Sequence, residues 1–111
     1  MPSSPKFRIM EEARKRNSRD YAEVREKLKH LFDYRLRNQQ IELEQRQARL
    51  EDAKQKGQRR ILPALEGQVR ATQGRIGELK QQLDSRLAEL QEQQEVNLSI
   101  ELLNAAHVRI V

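Results

Sequence analysis

From Leu62 to Leu90 the chain sets Leu62, Leu65, Val69, Thr72, Ile76, Leu79, Leu83, Arg86 and Leu90 at alternating spacings of three and four. Such spacing keeps one stripe on one face of an α-helix and demands a second helix to cover it. A strand cannot use it, because strand side chains alternate with a period of two. Only Thr72 and Arg86 interrupt the apolar run, and Leu87 widens the stripe beside Arg86.

The covering helix is legible upstream. After Tyr21, Val24, Leu28, Leu31 and Phe32, the residues Leu36, Leu43 and Leu50 recur at a seven-residue spacing, although Gln39, Gln40, Arg46 and Gln47 make the middle polar. The stripes are separated by "KGQRRILP", where Gly57 suits the left-handed residue that ends a helix and Pro63 the first turn of the next. We therefore expect an antiparallel helical hairpin, with helix one over 20–56, capped by Ser18, a turn over 57–62 and helix two over 63–95. Reversal at that turn faces Leu50 with Val69, Leu43 with Ile76 and Leu36 with Leu83 in one constant register. The seam is completed by Leu65, Leu79 and Leu90. The same stripe could instead pair two chains as a homodimer.

The flanks carry different patterns. Residues 1–19 join "PSSP" to "ARKRNSR" and read as a flexible basic lead. After Gln94, the residues Val96, Leu98, Ile100 and Leu102 stand two apart, the pattern of a half-buried strand. The expected fold class is thus mainly α: a long antiparallel coiled-coil hairpin with a short, apolar, strand-like end over 96–111. That end calls for a protein partner or a domain outside this chain to cover it. With 36% hydrophobic and 35% charged residues and no tryptophan, a large globular core is excluded, whereas a narrow coiled-coil seam is not.

Little in the sequence points to catalysis. There is no cysteine, which removes disulfides and thiolate chemistry together. "GQVRATQGRIG" carries glycines but no phosphate-loop lysine and lies within the heptads. His30 and His107 lack metal-ligand spacing, and His30 reads as an interfacial helix residue. Acidic residues fall into helical i,i+4 pairs instead: Glu23 with Lys27, Glu26 with His30, Glu42 with Arg46 and Asp52 with Lys56. No cofactor and no enzymatic activity are expected of this segment. No apolar stretch approaches the roughly 18 residues needed to cross a membrane, and the start lacks the apolar core of a signal peptide, so the expected location is cytoplasmic.

Charge and glycine supply the candidate contact surfaces. The net charge is +5, and residues 1–37 hold eleven Lys/Arg against six Asp/Glu. At the expected tip, Lys54, Lys56, Arg59 and Arg60 form a basic cluster able to meet a phosphate backbone, which needs positive charge and reach rather than base-reading geometry. Gly67, Gly74 and Gly77 each cost a helix roughly 1 kcal/mol relative to alanine. All three fall outside the seam, on an outer strip where another backbone could approach, a candidate partner-contact strip.

The order of "KLKHLFDYRLRNQQIELEQRQARLEDAKQKGQ", "ALEGQVRATQGRIGELKQQLDSRLAELQEQQEV" and "LSIELLNAAHVRIV" resembles the C-terminal helical hairpin of some bacterial Swi/Snf-type superfamily-two helicases. The resemblance covers about residues 20–111. It implies a setting in ATP-driven movement on double-stranded DNA, but the nucleotide-binding motifs of that engine have no counterpart here, so no catalytic residue is carried over. The reading it implies is a non-catalytic accessory segment of a helicase-related protein, a spacer or a protein or DNA contact arm. The alternative is a self-standing coiled-coil adaptor that homodimerises.

Overall fold

The structure is a computed structural model that describes residues 4–107. Two α-helices, α1 (Pro5–Gln55) and α2 (Leu62–His107), form an antiparallel helical hairpin, and there is no strand among the described residues. The backbone divides into two compact units, Lys29–Asp84 and the pair of stretches Met1–Leu28 and Ser85–Val111.

The turn forms as its residues dictate. Gly57 has φ 68°, which a residue without a Cβ adopts at little cost. The Gln58 N–H donates to the Ala53 carbonyl at 3.0 Å and the Gly57 N–H to the Lys54 carbonyl at 3.2 Å, a Schellman motif that satisfies the last carbonyls of α1. Arg59 N–H donates to the Gly57 carbonyl at 2.9 Å, and Leu65 N–H to the Ile61 carbonyl at 3.0 Å, which opens α2. Pro63 sits in that first turn, where a missing N–H leaves no bond unmade.

Within Lys29–Asp84 the inward residues keep the heptad. On α1, Phe32, Leu36, Gln39, Leu43, Arg46, Leu50 and Ala53 are buried or half-buried, and on α2 so are Leu65, Val69, Thr72, Ile76, Leu79 and Leu83. Ala53 is 1% exposed and Leu65 4% exposed, so the seam is closed beside the turn. Arg35 lays its guanidinium over the buried Phe32 ring at 5.7 Å, a cation–π contact.

The other unit is built differently. Its inward residues include Met10, Ala13, Asn17, Tyr21 and Leu28 on α1 and Leu87, Leu90, Gln94, Leu98 and Glu101 on α2. Ala13, Asn17 and Tyr21 on α1 and Leu90, Gln94 and Leu98 on α2 each stand at two successive spacings of four, a stutter in the alternation of threes and fours. A stutter locally relaxes the left-handed winding that a heptad imposes.

Several sequence expectations need correction. Val96–His107 is helical rather than strand-like; residues 108–111 lie outside the described residues. The alternation by two coincides with an i,i+4 series, and a helix already formed extends without a fresh nucleation cost. Gln93 Nε2 to Asn97 Oδ1 at 2.9 Å and Ser99 Oγ to the Glu95 carbonyl at 2.9 Å are i,i+4 bonds of that helix.

Nor is the segment 1–19 a separate lead: from Pro5 onward it is helix, while residues 1–3 lie outside the described residues. Ser4, not Ser18, caps α1, accepting the Phe7 N–H on its Oγ at 3.2 Å, with Pro5 at the first helical position. Helix one ends at Gln55 and helix two begins at Leu62, one residue from the expected bounds in each case. Val24, Leu31 and His30 are exposed, because Leu28 and Phe32 take the inward positions.

Candidate functional site

Three surfaces were singled out by sequence: the basic turn, the seam and the glycine strip. At the turn, Lys54, Lys56, Arg59 and Arg60 are all exposed. They fall within seven residues of chain around Gly57. Lys56 Nζ is 3.0 Å from Asp52 Oδ2, so part of its charge is answered within the turn, at an exposed pair worth a few tenths of a kcal/mol. No such ion pair engages Lys54, Arg59 or Arg60 among the described residues.

The seam contains a polar layer whose chemistry the sequence only hinted at. Arg46 Nη1 donates to Thr72 Oγ1 at 2.8 Å and to the Gln68 carbonyl at 3.2 Å, while Thr72 Oγ1 donates to the same carbonyl at 3.0 Å. Arg46 Nη2 pairs with Glu42 Oε1 at 2.6 Å, and Arg75 Nη1 approaches that oxygen at 3.7 Å. Thr72 is fully buried, at 0% exposure, yet its hydroxyl both donates and accepts. A polar group buried in this way is tolerated because it is satisfied, and it is satisfied in one register only. Sliding one helix by one layer of the seam, three or four residues, would set Thr72 against Leu43 or Leu50.

That layer was missed as a pair although a signal existed. Leu50 with Val69 and Leu43 with Ile76 are the expected facing pairs, and Arg46 and Thr72 fall between them. The neighbouring Gln39 lacks such a partner: its Oε1 is buried with no hydrogen bond. Of the other seam residues, Leu65, Val69 and Ile76 are buried, and Leu36, Leu43, Leu50, Leu79, Leu83 and Leu90 are half-buried.

A second polar contact, unforeseen in sequence, joins the helices in the other unit. Gln94 Nε2 donates to Asn17 Oδ1 at 2.8 Å, and Asn17 is only 8% exposed. Glu101 Oε2 is buried and lies 3.6 Å from Arg16 Nη2, an ion pair just beyond hydrogen-bond distance. Both depend on the helical conformation of residues expected to be lead or strand, which is why spacing alone could not find them.

Gly67, Gly74 and Gly77 have open space where a Cβ would project, so packing does not require glycine at any of them. Among the described residues no group of three or more His, Asp or Glu side chains is placed to hold a metal ion, and no helix is long and apolar enough to cross a membrane. No protein-family model, curated protein or solved structure matches the chain.

Proposed function

We propose that this hairpin is a non-catalytic arm of a helicase-related protein, holding a basic turn in contact with the phosphate backbone of nucleic acid. The observation that carries the reading is the exposure of Lys54, Lys56, Arg59 and Arg60 around a turn fixed by Gly57, at the closed end of a seam whose register is set by Arg46 and Thr72. A contact arm needs a stiff support and a charged end, and it needs no pocket. The helicase setting rests on the resemblance of residues 20–111, and with it come a cytoplasmic location and a partner in the remainder of a larger protein. On this reading the chain binds no cofactor and turns over no ATP; ATP hydrolysis by the purified chain would overturn it.

Binding to a fluorescent DNA duplex, titrated at several salt concentrations, tests the contact. Each phosphate neutralised contributes about 0.9 to the slope of log affinity against log salt, so Arg59→Ala with Arg60→Ala is expected to weaken binding and lower the slope by about 2. An unchanged slope and affinity in that variant, or no binding by the parent chain, would remove the basic turn from the account.

A further inference from the structure

We infer that the unit formed by the stretches through Leu28 and from Ser85 is a self-association surface, whose occupant is the same unit of a second copy of this chain. A groove along one face of this unit is lined by Tyr21, Val24 and Leu28 of α1 and by Leu90 and Ile100 of α2. Val24 is 49% exposed and Ile100 51% exposed, so both apolar side chains stand open to water at the groove. Tyr21, Leu28 and Leu90 are also inward residues, so the groove is the open flank of the unit's own seam, where polar side chains such as Asp20, Gln93 and Asn97 stand beside the apolar ones.

Charge selects the occupant and its orientation. Residues 5–28 carry eight Lys/Arg against five Asp/Glu, whereas residues 85–107 carry one arginine against four glutamates. Among the described residues, Arg16–Glu101 is the one ion pair that joins the two helices of this unit. The basic stretch of α1 therefore fits the acidic stretch of α2 in a second copy. Of the face-to-face two-fold arrangements, rotation about an axis parallel to the helices lays each α1 over the other copy's α2, antiparallel and oppositely charged. Rotation about an axis across the helices lays α1 over α1 and places like charges together. The first gives a four-helix bundle with an isologous interface, in which Val24 of each copy lies at the same level beside the two-fold axis.

The arrangement differs from a dimer made through the heptads, because the heptads stay inside each hairpin. It is independent of DNA contact: a monomeric chain would overturn it and leave the contact arm standing.

Sedimentation equilibrium of the full chain is expected to give twice the 13.1 kDa chain mass at tens of micromolar, with weaker association at higher salt. Val24→Lys with Ile100→Lys is expected to give the monomer mass with helical circular dichroism retained. Because the chain has no cysteine, Val24→Cys reports the orientation: mild oxidation is expected to link two copies, whereas Ser99→Cys, on the face away from the groove, is not. A monomer mass for the parent chain at 100 µM, a dimer that survives the double lysine variant, or Val24→Cys linking no faster than Ser99→Cys would each overturn the inference.

Discussion

The two units of this hairpin use the same pair of helices in different ways. Lys29–Asp84 keeps a heptad and is lined mainly by leucine, valine and isoleucine, with a polar layer at Arg46 and Thr72 whose groups are satisfied several times over and a further polar position, Gln39, whose buried Oε1 is not. The other unit carries a stutter on each helix, puts Ala13, Asn17, Tyr21 and Gln94 inward among its leucines, and joins its helices through the Asn17–Gln94 amide bond and the Arg16–Glu101 ion pair. The heptad unit is specified by its own seam. The other unit leaves Val24, Val96, Ile100 and Leu103 exposed, as the heptad unit leaves Leu31, Tyr34, Ile41 and Ile61.

Replacing each polar contact by leucines breaks the comparison most strongly. Arg46→Leu with Thr72→Leu and Glu42→Gln is expected to raise stability in urea unfolding, by about 1 kcal/mol, because apolar packing replaces a partly buried ion pair and no carboxylate is left without its partner. It is also expected to loosen the register, since nothing then distinguishes one leucine layer from the next. Asn17→Leu with Gln94→Leu removes one neutral hydrogen bond, worth about 1 kcal/mol, and is expected to change stability less in either direction. A larger gain from the second pair than from the first would reverse the ranking of the two units.

Glycine substitutions sharpen the picture with a smaller effect. Gly57→Ala forces a Cβ into a left-handed conformation and is expected to cost about 1 kcal/mol in thermal unfolding. Gly67→Ala, Gly74→Ala and Gly77→Ala project into open space and are each expected to stabilise α2 by up to about 1 kcal/mol. If all four had the same sign, the turn would not be the one position that requires glycine.

How much of this was legible in the sequence follows the same division. The hairpin, its turn at Gly57 and the seam positions from Leu36 to Leu83 could be read from spacing, because leucine and isoleucine at threes and fours admit few alternatives. Residues 5–19 could not, because Ala13 and Asn17 face inward without announcing an apolar period. "EVNLSIEL" satisfies both a period of two and an i,i+4 series, and only the continuing helix decides between them. Ser4 followed by Pro5 was a readable cap, but the basic, polar run after it looked like a lead. The basic turn was legible as charge, and its four cations are exposed.

The heptads close within one chain, in the register set by Arg46 and Thr72. Leu43→Cys with Ile76→Cys tests this most directly, since these positions neighbour the Glu42–Arg75 pair and the chain has no other cysteine. Oxidised at sub-micromolar concentration, the variant is expected to form an intrachain disulfide, with the mass of one chain and its helicity retained. Free thiols, or a disulfide found only between two chains, would contradict the hairpin.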